Sequence, residues 1–277
     1  MVFNISIMIC FLNGKFLAEE DAMINVFDHG FYFGDGIYET MRTVNGELWQ
    51  GEKHMERLFT SAKMIFLKIP WSSGQIIYWI NECIKRNNFK ESRIRLTISR
   101  GRLDLSFEKG FDPTILIKVD ELQEISEDIL KNGVDLVTME MERIMPKAKT
   151  LNLMSVILAY LKEHETKAYE VLLVNREGFI TEGAITNYFV VKDGILMTPN
   201  EDILYGTVRD RILEIAEEEG IKVVFKSMTK KDILECDECF ICNAPRGIVP
   251  VRSLDEERVG EVEFGMWKKL RDRLGIF

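Results

Sequence analysis

Four short stretches place charged side chains beside apolar or glycine-rich segments. They are PKAKTLNLM at 146–154, TEGAITN at 181–187, HMERL at 54–58 and YGTVRD at 205–210. Lys149 precedes a long apolar helix pattern, and the positive end of a helix dipole favours the free base of an amine over the cation. Glu182 is set between Thr181 and Gly183, and Arg57 lies within HMERL. Gly206, Thr207, Val208 and Arg209 open an amphipathic helix pattern, where backbone amides face outward as anion donors. A lone lysine is more often a solvated charge, since lysine is rarely buried. As a set, these residues offer an amine for an imine, a carboxylate for a ring nitrogen and donors for a phosphate. Those are the parts a phosphorylated aldehyde cofactor requires.

Composition narrows the field. The 277 residues are 46% hydrophobic, enough for one large core or two modest ones. With 36 basic and 45 acidic residues the net charge is −9, which argues against a nucleic-acid surface and for small-molecule chemistry. No apolar run reaches membrane-spanning length, and the stretch at 7–12 is too short for a signal peptide, so a cytoplasmic protein is expected. No glycine-rich dinucleotide fingerprint, Walker lysine loop or zinc signature is present, and the three histidines show no ligand spacing. CDECFIC sets Cys236, Cys239 and Cys242 three apart, but an iron–sulfur cluster as a rule needs a fourth thiolate. ECFICNA also reads as a strand, with Cys239 and Cys242 on opposite faces. No metal site is expected.

The elements that must position these residues are mixed α and β. ICFLNGKFLAEED and IYETMRTVNGELWQG each read as a hairpin turning on Asn-Gly. A helix from about His54 carries Leu58, Ala62, Ile65 and Phe66 on one stripe, and a second spans Ser73–Asn87. RIRLTISRG and DPTILIKVD are strands. Residues 122–132 read as a connector between a domain at 1–121 and one at 133–277. The second half runs strand 134–144, helix 152–168, short strands to 199, a helix closing on Gly220, strand, acidic helix, strand, and a last helix at 264–273. A mixed α/β chain with a strand-rich second domain follows.

In this order the motifs resemble the class IV aminotransferases, the fold type IV pyridoxal phosphate enzymes. That group includes branched-chain aminotransferases, D-amino acid aminotransferases and aminodeoxychorismate lyases. The resemblance runs from FLNGKFLAEEDA to GIVPVRSLD, through KTLNL, TEGAITNYF, LYGTVRD and the ECF to IVPV stretch. It implies a smaller N-terminal α/β domain, a larger barrel-like C-terminal domain and pyridoxal 5′-phosphate as cofactor. It makes Lys149, not Lys147, the imine-forming lysine, because the K-x-L-N phase fixes it. Glu182 would face the pyridine nitrogen, Leu204 pack on the ring face and Arg57 anchor the phosphate. The usual Gly-Ile-Thr-Arg loop is here Gly206-Thr207-Val208-Arg209, with the hydroxyl moved one place. Val208 has no side-chain donor, yet the amides of Thr207 and Val208 remain.

The resemblance also implies a ping-pong exchange between an amino acid and a 2-oxo acid such as 2-oxoglutarate, in a homodimer. FDHGFYFGDG and the loop around 100–110 are candidates for the segment that crosses to the neighbouring subunit. Tyr38 would line the substrate pocket. Arg42 and Arg95 match pocket arginines of branched-chain enzymes, and Arg100, Ala244 of ICNA and Arg246 are further candidates. D-amino acid aminotransferases carry an Arg-x-His pair where this chain has Leu105 and Phe107, which argues against that arrangement. Arg42, Arg93, Arg95, Arg100, Arg102 and Arg246 are more cations than an aliphatic pocket needs, so a substrate with two carboxylates is kept open. Arg246 is expected either to bind a second carboxylate or to point to solvent. The favoured reading is a branched-chain-like L-amino acid transaminase. The alternatives are a pyruvate-releasing aminodeoxychorismate lyase, a D-amino acid aminotransferase and, remotely, a non-catalytic or metal-binding protein.

Overall fold

The computed structural model describes residues 8–102, 112–263 and 265–276; Leu105, Phe107 and Phe264 lie outside the described residues. Both Asn-Gly signals form hairpins. β1 (Ile9–Leu12) and β2 (Lys15–Ala18) pair antiparallel with Leu12 opposite Lys15. After α1 (His29–Phe33), β3 (Gly36–Val44) and β4 (Glu47–Leu48) pair with Val44 opposite Glu47. Two helices follow, α2 (Gly51–Met64) and α3 (Ser73–Asn87), then β5 (Ser92–Ser99) and β6 (Thr114–Glu121). α3 starts at a capping box in which Ser72 and Gln75 satisfy each other's backbone amides, and Asn88 ends it in the left-handed region.

The six strands form one sheet in the order β2-β1-β6-β5-β3-β4. Strand alternation divides its faces. Ile37, Met41, Ile94, Leu96, Ile98, Ile115 and Ile117 point into a core with Met55, Leu58, Ile76 and Ile80 from the two helices. Tyr38, Thr40 and Arg42 have the opposite parity on β3, and face Thr97, Arg95 and Arg93 of β5 across the register. Phe66 does not join the helical stripe: α2 ends at Met64, and Phe66 has φ 55° with its side chain 85% exposed. Its amide bonds to the Lys63 carbonyl, which closes the helix before the stripe reaches it.

The second half contains α4 (Glu127–Asn132), β7 (Val134–Glu140), α5 (Met154–Thr166), β8 (Glu170–Val174), β9 (Ile180–Gly183), β10 (Asn187–Lys192) and β11 (Ile195–Thr198). α6 (Thr207–Glu218), β12 (Val223–Phe225), α7 (Lys230–Leu234), β13 (Glu238–Asn243), β14 (Gly247–Leu254), β15 (Glu257–Arg258) and α8 (Met266–Leu274) complete it. Its sheet runs β12-β11-β10-β13-β14-β7-β8-β9, with β15 paired to β14. Val134, Leu136, Tyr188, Cys239, Ile241 and Val249 share one buried cluster. On β13, Cys242 takes the face opposite Cys239, and burial pushes its thiol up to about 12.

The chain divides into two compact units, Met1–Gln123 with Ala148–Asn152, and Glu124–Lys147 with Leu153–Phe277. This differs from the expected partition in two respects. Half of the expected connector is α4, because Ser126 caps it by accepting from the Ile129 amide. And residues 148–152, expected in the second domain, belong to the first unit, because their backbone pairs with β3. Tyr38 donates to the Lys149 carbonyl at 3.0 Å, Leu151 donates to the Gly36 carbonyl at 2.9 Å, and Thr150 bridges to Ile37.

Gly36 is where this added strap meets the sheet. A methyl group there would lie 2.5 Å from the Ile98 carbonyl oxygen, 2.7 Å from Leu151 Cδ1 and 2.8 Å from Ser99 Cα. Gly36→Ala is expected to destabilise the protein by about 1–3 kcal/mol through overpacking. Urea denaturation checks this; an unchanged midpoint would contradict the packing described.

Candidate functional site

Lys149 leads the functional groups of the first unit. Its amide donates to Ser61 Oγ at 3.0 Å and its carbonyl accepts from Tyr38, so the backbone is held on both sides. The amine then lies over the Tyr38 ring, Nζ 4.4 Å from the centroid. The Arg95 guanidinium also stacks on that ring, 3.6 Å from the centroid. The structure thus brings together Lys149, Tyr38 and Arg95. The helix-dipole reason for a reactive lysine does not hold as stated: α5 begins at Met154, and dipole effects fall off within a turn.

Beneath β3 sits a buried charge cluster that the sequence reading missed in part. Glu39 is fully buried; its Oε1 accepts from Arg57 Nε at 2.9 Å and its Oε2 from Arg57 Nη2 at 2.5 Å. His54 Nδ1 lies 2.8 Å from the same Oε2. Burial alone would push the Glu39 carboxyl up. The charge and hydrogen bonds of Arg57, with the His54 contact, outweigh it and hold the group at about 2. Burial pushes His54 the other way, below its ordinary value, so it sits as a neutral ring donating through Nδ1. The cluster fixes the plane of the Arg57 guanidinium. Two signals carried it: Glu39 has the inward parity of Ile37 and Met41, and His54 and Arg57 are three apart on one helix face.

The remaining arginines of this unit do not form one group. Arg93 pairs with Asp120 at 3.1 Å. Arg42 is buried and its Nε donates to the Thr43 carbonyl at 3.0 Å. Arg100 holds Asp35 with two bonds of 2.6 and 2.9 Å and donates to the carbonyls of Phe66 and Ile65. These bonds join the end of α2 to the start of β3.

In the second unit, Glu182 is 3% exposed at the end of β9. Its Oε1 accepts from Arg143 at 2.8 Å and its Oε2 from the Leu204 amide at 3.0 Å. Leu204 is buried, and its carbonyl accepts from Asn187 Nδ2 at 2.8 Å. Asn187 also explains Gly206, since a methyl on Gly206 would collide with Asn187 Oδ1. α6 begins just after Gly206 with no side chain capping it, and Thr207 and Val208 are its first, buried residues. A helix start of this kind suits a phosphate, and a buried carboxylate suits a protonated ring nitrogen, so the donor set fits pyridoxal phosphate. Arg209 turns elsewhere: its Nη2 donates to the Pro199 carbonyl and to Asn200 Oδ1, both at 2.9 Å, bracing the loop before the helix.

Ala244 and Arg246 lie in the turn between β13 and β14. Ala244 is buried. Arg246 is half-buried, with its guanidinium 4.6 Å from the centre of the Tyr169 ring. It stands near Glu163 and Glu170; burial first, then the charge and hydrogen bond of Glu170, push the Glu163 carboxyl up to about 7, and Arg246 pulls it back. Arg246 thus stacks on the Tyr169 ring.

Glu39 supplies a pH signature. Its folded value, about 2, lies below its ordinary 4.5, so the stability it contributes is complete above 4.5 and lost as pH falls toward 2. The loss is about 3 kcal/mol on the scale of 1.36 kcal/mol per pH unit. Urea denaturation at pH 7, 5 and 3 should show Glu39→Gln less stable at pH 7, with the gap to wild type closing as pH falls. A gap independent of pH would contradict the ion pairing.

Comparison with known proteins gives the family and the fold. Residues 36–254 match the family model described as amino-transferase class IV. A Methanocaldococcus jannaschii protein named "Putative branched-chain-amino-acid aminotransferase" is 35% identical over 277 residues, covering 95% of each chain. A Bacillus licheniformis D-alanine aminotransferase is 29% identical, covering 90% of this chain and 89% of its own. The branched-chain aminotransferase of the thermophilic archaeon Thermoproteus uzoniensis, solved with norvaline, superposes with a TM-score of 0.89 at 26% identity, over 97% of this chain and 93% of its own. The chain belongs to the class IV aminotransferases, with the mixed α/β fold type IV architecture of the branched-chain enzymes.

Proposed function

We propose that this protein is a pyridoxal phosphate-dependent transaminase that moves an amino group between a branched-chain-like L-amino acid and a 2-oxo acid such as 2-oxoglutarate. The observation that carries the reading is Lys149, whose backbone is tied to β3 and Ser61 while its amine stands over Tyr38. The 35% identical relative, named for branched-chain amino acids, supports the substrate class.

Bound cofactor would supply an electron-withdrawing ring that stabilises negative charge at the substrate Cα. Lys149 would supply the amine that holds the cofactor's aldehyde carbon and would serve as general acid–base for the proton on the substrate Cα. Glu182 would keep the ring nitrogen protonated, and Leu204 would pack on the ring face. Arg57, held by Glu39, and the amides of Thr207 and Val208 are each donors that would suit the phosphate. Tyr38 and Arg95 present an aromatic face and a cation to the substrate, and a cation at that place accommodates the distal carboxylate of glutamate. Arg42, Arg100, Ala244 and Arg246 are the further candidates for substrate contact.

A homodimer is part of this reading. Phe27, Phe31, Tyr32 and Phe33, around α1, are each at least half exposed, more apolar surface than a lone subunit usually presents. A cytoplasmic location belongs to the same reading. None of the described helices is long and apolar enough to cross a membrane.

An amino-donor screen with both enantiomers of leucine, valine, alanine and glutamate tests the assignment. L-leucine and L-valine should transfer to 2-oxoglutarate, and Lys149→Ala should lower turnover by at least about a thousandfold, the scale of losing an acting group. D-alanine as the preferred donor would select the D-amino acid reading. Pyruvate released from aminodeoxychorismate without an acceptor would select the lyase.

A further inference from the structure

We propose that Arg143 is a positioning residue for Glu182: it fixes the carboxylate in place and sets how strongly Glu182 can take a proton from a ring nitrogen opposite it. The second half of this statement rests on the cofactor reading above; the first concerns two residues of one unit. Arg143 stands in the segment after β7. The Met141 amide donates to the Val174 carbonyl at 2.9 Å, and Glu142 accepts from the Arg176 amide at 3.0 Å, so the segment is fastened to the end of β8. From that base Arg143 Nη1 donates to Glu182 Oε1 at 2.8 Å, while the Leu204 amide takes Oε2 at 3.0 Å. The Arg143 and Glu182 side chains are 13% and 3% exposed, so water screens the pair weakly.

A guanidinium at this distance favours the ionised carboxylate and makes it a weaker base. Arginine cannot give up its proton, so the effect persists at any working pH. A protonated ring nitrogen facing Glu182 therefore keeps its proton on nitrogen, and the ring keeps its pull on electrons. Without Arg143, burial would favour the neutral acid. Glu182 would become the stronger base, and the proton would move from nitrogen to oxygen. Lysine at this position would restore the charge but not the fixed fork.

The test uses the full chain, with pyridoxal phosphate labelled with ¹⁵N in the ring. Arg143→Met should bind the cofactor about 10–100-fold more weakly in equilibrium dialysis, the scale of outer partners around metal ligands. Its ring ¹⁵N signal should shift from the protonated toward the unprotonated position, with Arg143→Lys in between. In a Glu182→Gln background the Arg143 substitution should cost little more, because the two act as a unit. In cofactor-free protein, the Glu182 carboxyl ¹³C signal, identified by its loss in Glu182→Gln, should titrate at higher pH in Arg143→Met than in wild type. An unchanged ¹⁵N signal together with an unchanged titration would overturn the proposal, since a merely structural residue would move neither. If the wild type binds no pyridoxal phosphate, the proposed function falls, and the cofactor-free titration still decides whether Arg143 governs Glu182. If Arg143→Met does not fold, Arg143→Lys carries the comparison.

Discussion

Two backbone hydrogen bonds, from Tyr38 to the Lys149 carbonyl and from Leu151 to the Gly36 carbonyl, fasten five residues to a strand that lies over a hundred residues earlier in the chain. The functional reading depends on them. A lysine side chain carries roughly 2 kcal/mol of rotamer entropy, and an unanchored backbone would add more at each residue. With the backbone paired to β3 and the amide taken by Ser61, only the side chain is left to order. Tyr38 then serves twice: its amide holds the strap and its ring receives the amine. Gly36 is part of the same constraint, since a side chain there would occupy the space that Leu151 fills.

Two of the buried carboxylates, Glu39 in the first unit and Glu182 in the second, offset the cost of burial in the same way. Glu39 has Arg57 and His54; Glu182 has Arg143 and the Leu204 amide. A buried ion without a partner costs several kcal/mol, whereas a paired and hydrogen-bonded one is tolerated. Pairing also gives direction. Glu39 accepts two donors from Arg57, so the guanidinium lies in one plane, and Glu182 is gripped at both oxygens. The arginines of this chain divide by the same logic. Those beside carbonyls or carboxylates of their own neighbourhood, such as Arg100 and Arg209, become braces. Arg95 instead stacks on the Tyr38 ring that also receives the Lys149 amine, which is why the substrate role is assigned to it.

Much of this was legible in the sequence where the signal is local. Asn13–Gly14 and Asn45–Gly46 announced their hairpins, and the Ser73–Asn87 stretch announced α3. Long-range pairing was not legible. No local pattern shows that residues 148–152 pair with β3 rather than with the elements that flank them in sequence. Phe66 failed because the helix ends at Met64, two residues before the stripe would have reached it. Arg143 gave no signal at all, because its meaning comes from Glu182, 39 positions later. The surplus of arginines suggested a pocket for two carboxylates; which of them were already spent on Asp35, Asp120 or backbone carbonyls required coordinates.

Reduction of the cofactor-loaded protein with borohydride, followed by peptide mass mapping, addresses the central claim most directly, because it turns the reversible link into a permanent mark on one side chain. The account predicts a single phosphopyridoxyl label on the nitrogen of Lys149. A label on Lys147 or any other lysine, or no label after incubation with excess cofactor, would contradict it.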